Sequence, residues 1–224
     1  MEAVLDLPKT KPHTLKSSVG REPTIERVYL PDVSWETYQQ LVKDLMGKRN
    51  IRLTYNGEDL EIMVVSYKHD AYSFTLGEIV STVGDWLEID FVGAGSTTFR
   101  AEKKRKGFEG DQSFYFKDAE IVRRKSEIDL SFDPPPELII EVDITHGSLP
   151  KFPILAALGI EEIWRFNGEE IIFYRLENEQ YKEVAESVCL PRVKSETVTE
   201  LLFAAEEMKR SEWLKLVHRL IEKN

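Results

Sequence analysis

Hydrophobic and polar positions divide this chain into alternating helical and extended segments. Residues 1–31 hold Pro8, Pro12, Pro23 and Pro31 among Lys, Thr and Ser, with little apolar period; they read as an extended, partly mobile arm. Trp35, Tyr38, Leu41, Val42 and Leu45 then recur at helical spacing, with Ser34 suited to the N-cap and Gly47 to the stop. Residues 51–55 and 60–65 alternate as strands, and Asn56-Gly57 between them signals a hairpin. The next period predicts a long helix over residues 71–88 that buries Phe74, Ile79, Val83, Trp86 and Leu87, with residues 67–70 leading into it. Residues 91–92 and 96–99 suggest one strand broken by Gly93 and Gly95, and residues 110–116 suggest another.

The most informative stretch is residues 134–151. Three prolines open it and hold the backbone extended. Leu138-Ile139-Ile140-Glu141-Val142-Asp143 follows, a run with the β-branched content of a buried strand. Strand geometry places Glu141 and Asp143 on one face. Two acids on an apolar strand are costly to bury unless a cation, a base or a metal lies between them. Ser148 is suited to cap a helix with Pro150 in its first turn, ending at Gly159. Strands over 162–166 and 171–176 turn at Asn167-Gly168, and residues 181–184 add a third. From Glu196 onward the pattern is helical, with Leu201, Leu202, Trp213, Leu216, Val217 and Leu220 as its apolar stripe. A strand–helix–strand unit over 138–166 implies a parallel crossover, so the expected fold class is α/β with a mixed sheet, helices and antiparallel hairpins.

Composition narrows the function. With 40 acidic against 30 basic residues the formal charge is −10, which argues against binding nucleic acid over the whole surface while leaving room for a local basic groove. One cysteine, Cys189, excludes an internal disulfide or a cysteine zinc cluster. There is no signal-like N-terminal pattern and no run of 18 apolar residues, so a cytoplasmic protein without membrane contact is expected. No Gly-rich phosphate loop, HExxH or Gly-x-Ser-x-Gly elbow supports a kinase, protease or esterase. Trp35, Trp86, Trp164 and Trp213 sit on apolar faces and are expected in the core.

Asp111, Glu141 and Lys151, with Asp143 beside them, fall at strand ends or helix starts on neighbouring elements. A few carboxylates suffice to hold magnesium together with water and phosphate, and a nearby lysine can assist a metal-bound water. These residue types also make a structural salt bridge between Lys151 and either acid, and spacing alone leaves both readings open.

The chain resembles the Uma2 family of restriction-endonuclease-like proteins, formerly DUF820, within the PD-(D/E)XK nuclease superfamily. The resemblance spans roughly residues 35–202 and rests on segments in order: Lys68-His69-Asp70, Gly95-Ser96-Thr97-Thr98, Phe108-Glu109-Gly110-Asp111 with Phe114-Tyr115, and the long run from Pro135 through Glu141 and Asp143 to Lys151-Phe152-Pro153 and Glu162-Ile163-Trp164. It implies a restriction-endonuclease-like core, a sheet flanked by helices, with a divalent-metal site; for Mg2+ or Mn2+ the expected ligands are Asp111 and Glu141, with Asp143 expected to assist or to bind a second ion. The motif's aspartate falls on Asp111 and its second acid on Glu141. Gly110 stands where a proline is usual. Asp143 stands where the superfamily's lysine is usual, and the resemblance suggests that Lys151 supplies the ammonium instead.

His69, placed before a helix in that pattern, is expected at the mouth of the site as a proton carrier or phosphate contact. Glu78 in the same helix is a further carboxylate, better explained as a solvated face. Lys103, Lys104, Arg105 and Lys106, with Arg123, Arg124 and Lys125, are the concentrated positive charge and the expected contacts to a DNA backbone. The domain reading is an arm over 1–31, a nuclease-like domain over 32–195 and a helical extension over 196–224. The leading function is a metal-dependent DNA endonuclease. Its rivals are an inactive nuclease-fold protein that binds nucleic acid or a partner protein, and a structural homodimer that pairs through the C-terminal helix.

Overall fold

Two sheets meet along one seam in the computed structural model, which describes residues 26–45, 47–48, 50–144 and 150–223. The first sheet is antiparallel and five-stranded. It contains β1 (Glu26–Leu30), β2 (Ile51–Tyr55), β3 (Leu60–Val64), β5 (Thr98–Ala101) and β6 (Lys106–Glu109), in the order β1-β3-β2-β6-β5. Helix α1 (Trp35–Leu45) covers β2, and Thr37 N donates to the Ser34 hydroxyl at 3.1 Å, as the cap reading expects. The β2–β3 turn forms at Asn56-Gly57, where Gly57 has a φ of +105° that a side chain would strain.

The second sheet is mixed and six-stranded. It contains β4 (Val92–Gly93), β7 (Gln112–Tyr115), β8 (Leu138–Val142), β9 (Glu162–Phe166), β10 (Ile171–Glu177) and β11 (Gln180–Val184), in the order β11-β10-β9-β8-β7-β4. The expected parallel crossover is present: β8 pairs in parallel with β9, joined through α4 (Phe152–Leu158), which ends at Gly159. Short helix α3 (Ala119–Val122) follows β7. Helices α2 (Tyr67–Trp86), α5 (Ser195–Glu207) and α6 (Arg210–Lys223) complete the chain, a mixed α/β fold.

Strand β8 is central because both of its faces are used. Leu138, Ile140 and Val142 enter the larger core with Leu76, Ile79, Val80 and Val83 of α2 and the apolar residues of α5 and α6. Ile139 enters a second core with α4, α3, β5 and β6. Each fully buried aliphatic side chain contributes about 1.5–3 kcal/mol, which offsets the cost of burying the one charged residue of the strand, Glu141.

Several expectations change. The end of the predicted arm forms β1, paired with β3; residues 1–25 lie outside the described residues. Helix α2 starts at Tyr67 rather than residue 71, capped where His69 N donates to Ser66 Oγ at 3.3 Å, so His69 and Asp70 lie inside its first turn. Phe74, expected in the core, is 61% exposed. The predicted strand across Gly93 and Gly95 is two strands in different sheets. Ser148 lies outside the described residues; Pro150 precedes α4, Lys151 takes the cap position, and Pro153 stands in the first turn. The C-terminal stripe, expected to be available to another chain, packs through Leu201, Leu202, Trp213, Leu216 and Val217 into this chain's own larger core.

Candidate active site

The seam between the sheets is where β6 hands over to β7, at Gly110-Asp111. A Cβ on Gly110 would come within 3.0 Å of Ile139 Cγ2 on β8, so a residue with a side chain here would have to displace a buried isoleucine. That close approach accounts for glycine at a position where the resemblance leads one to expect proline. Asp111 then continues the ladder, its N–H donating to Ile140 O at 3.1 Å, while its own Oδ2 accepts from Val142 N at 2.8 Å. From α2, Ser73 Oγ donates to Asp111 O and Gln112 Nε2 donates to Ser73 Oγ, each at 3.2 Å. The Asp111 carboxylate is therefore fixed by the main chain of β8, and the Asp111 backbone is braced by a helix.

Strand parity turns Glu141 toward the same seam. Lys151, at the head of α4, donates its ammonium to Glu141 Oε2. His69 Nε2 lies 3.2 Å from Asp111 Oδ2 and its Nδ1 lies 3.7 Å from Asp70 Oδ1. The first sheet contributes Arg52 from β2, whose Nε is 3.5 Å from Asp111 Oδ1. Asp111, Glu141, Lys151 and His69, chosen from four separate parts of the sequence, thus converge. His69 is not at a mouth: its side chain has no exposed surface, because the earlier start of α2 rotates it onto the buried side of the helix.

The arrangement leaves two carboxylate oxygens unspent. Among the described residues, Asp111 Oδ1, which has Arg52 Nε at 3.5 Å, and Glu141 Oε1 are buried and accept no hydrogen bond. Burial pushes the Asp111 carboxyl up, but His69, Lys151 and the Val142 amide outweigh it and hold the group below the ordinary aspartate range. Glu141 goes the other way: burial raises it, the Lys151 charge opposes, and the Asp111 charge adds to the rise. For Lys151, burial lowers the pKa, but Glu141 and Asp111 together lift it above the ordinary lysine value, so it stays an ammonium. Paired acids with free, buried oxygens beside a fixed cation form a donor set suited to a hard divalent ion that keeps several water ligands. Among the described residues no three His, Cys, Asp or Glu side chains gather as a metal-binding group.

Asp143 shares the Glu141 face but meets arginines: Arg165 Nη2 of β9 at 2.6 Å and Arg27 Nη2 of β1 at 3.5 Å. Arg27 also reaches Glu61 Oε1 at 2.9 Å, tying the first sheet to the end of β8. Sequence reasoning missed Arg52, Arg27 and Glu61. Arg52 and Glu61 carried one signal, a charge inside a predicted strand, the cue that singled out Glu141; Arg27 lay in the predicted arm and carried none.

The basic segments lie elsewhere. Lys103, Lys104 and Arg105 form the turn between β5 and β6, and the extended chain from Lys106 to Asp111 spans about 16 Å. Lys104 Nζ donates to Ala157 O at 2.6 Å and Lys106 Nζ to Asn56 O at 2.8 Å. Arg123 pairs with Asp90 and Glu120, Lys125 with Asp133, and Glu78 with Arg210. No helix among the described residues is long and apolar enough to cross a membrane.

A family profile described as "Uma2: Putative restriction endonuclease" matches residues 35–203, and the chain belongs to that family. Among solved structures, a "putative nuclease belonging to DUF820" from Anabaena variabilis is similar at 13% identity and a TM-score of 0.46, over 84% of this chain and 99% of that one. No curated protein matches.

Proposed function

We propose that this Uma2 protein is a metal-dependent DNA endonuclease in which Asp111 and Glu141 hold Mg2+ or Mn2+. The observation that carries this reading is the pair of buried carboxylates, each with an oxygen that accepts no hydrogen bond among the described residues, beside the Lys151 ammonium. When bound, the cation would polarise the phosphate and acidify a water ligand. Lys151 remains protonated between two acids, so it acts as a donor that orients the attacking water and stabilises charge on the phosphate, not as a base. His69 has no exposed surface and works by holding Asp111 in place. Asp143 keeps Arg165 and Arg27 at the edge of the site and assists there, or joins a second ion. Lys103, Lys104, Arg105 and Lys106 contact the DNA backbone away from the cut and supply sequence-independent, salt-sensitive affinity.

The experiment is nicking of supercoiled plasmid in Mg2+ or Mn2+ by wild type, Glu141→Ala and Lys151→Ala. Loss of nicking in both variants supports the assignment. Equal nicking in all three sinks it, and DNA binding without nicking by wild type favours a nuclease fold that has given up catalysis.

A further inference from the structure

A cavity of about 380 Å³ opens beside the reacting corner, lined on one side by α1 and β2 and on another by the Ser96-Thr97-Thr98 segment that the metal chemistry leaves unused. Arg52 joins the two spaces, since it lines the cavity and also lies 3.5 Å from Asp111 Oδ1. Glu109, two residues before Asp111, lines the cavity too and accepts a hydrogen bond from Thr98 Oγ1. Val42, Leu45, Leu53 and Ile128 give the wall an apolar part. Lys48, Arg52 and Arg100 give it cationic groups, and Ser96 and Ser126 give it exposed hydroxyls.

A phosphate group alone has no use for the apolar part, and an aliphatic chain has none for the cations. A nucleobase uses both, with flat apolar faces and a polar edge, on a strand whose phosphates would meet the lysine and arginines. The volume is at the lower end of small-molecule sites, which suits one base rather than a larger ligand. Resting on the nuclease reading above, we infer that this cavity receives one unstacked base next to the scissile phosphate, so that the protein acts on DNA with an unpaired nucleotide at that position. A paired duplex must first extrude the base and is the poorer substrate.

The test uses full-length Asp111→Asn protein, which holds DNA uncut, and oligonucleotides carrying 2-aminopurine at successive positions, with binding followed independently by anisotropy. Fluorescence is expected to rise at one position only. The Ser96→Leu/Ser126→Leu variant, altered at two exposed positions that line the cavity, should abolish that rise and bind about tenfold more weakly. In the background that retains Asp111, the same pair of changes should remove the preference for unpaired over fully paired DNA. Anisotropy without any fluorescence rise, or a rise that survives the filled cavity, overturns the inference, and so does the absence of DNA binding. A rise with no cleavage by wild type overturns the nuclease reading while leaving the base site standing.

Discussion

Two kinds of buried carboxylate stand within one sheet. Glu162, at the start of β9, accepts from Trp164 Nε1 at 2.8 Å, Val188 N at 3.0 Å and Cys189 N at 2.8 Å. Glu137, just before β8, accepts from Phe116 N at 2.9 Å and Asp118 N at 3.0 Å. Asp111 and Glu141 are equally buried, but each keeps an oxygen that accepts no hydrogen bond among the described residues. Burial alone therefore does not mark a functional acid. Glu162 and Glu137 are satisfied by N–H groups and staple loops to the sheet, whereas the seam pair is satisfied in part only, a costly state that a structural role does not need.

The widest separation between the two kinds should appear in catalysis. Asp111→Asn keeps the size and the acceptor for the Val142 amide but removes the charge; nicking should fall by about 1000-fold, roughly 4 kcal/mol of transition-state stabilisation. Glu137→Gln should nick plasmid at the wild-type rate wherever it remains folded, and a comparable loss there would erase the distinction. Stability should show the reverse order. Glu162→Ala strands one buried and two half-buried donors and should cost about 3 kcal/mol, read as a lower urea midpoint.

Replacing Glu141 and its lysine together, Glu141→Gln with Lys151→Met, removes an ion pair without leaving either charge alone. Stability should hold or rise by about 1 kcal/mol while nicking disappears. A large loss of stability would mean that the pair is structural. The smallest effect is one of pH. Because the folded-state pKa of Glu141 is raised above 4.5, its contribution to stability is fully present below that value and is lost as pH rises through the folded pKa. Glu141→Gln should therefore look more favourable relative to wild type at neutral pH than at pH ~4, in paired denaturation curves. An advantage that does not change with pH would show that Glu141 feels no net burial cost.

Much of this was legible in residue order. The 138–142 strand, the crossover to residue 162, the hairpin at Asn56-Gly57 and the helix stop at Gly159 all follow from β-branched runs and turn glycines, which act over a few residues. A pairing of Lys151 with Glu141 or Asp143 was also legible, and the fold selects Glu141. The start of α2 was misplaced because Ser66 as a cap outweighs the weak apolar period of residues 67–70. That error put His69 at a mouth when it belongs beneath Asp111.

What the sequence determined by itself is most of the elements, though not β1 or the division between β4 and β5, and which acids fall on the seam-facing side of β8, since parity along a strand is a local property. Tertiary structure decided the rest. Arg52 from another sheet stands at Asp111, two arginines take up Asp143, and the C-terminal stripe closes on the chain's own core. Most of all, only the packed structure separates the acids whose oxygens all find donors from the two that keep an oxygen without a hydrogen bond among the described residues. Hydrogen-bond donors for a buried oxygen come from whatever the fold brings within about 3 Å, and a sequence carries no record of those neighbours.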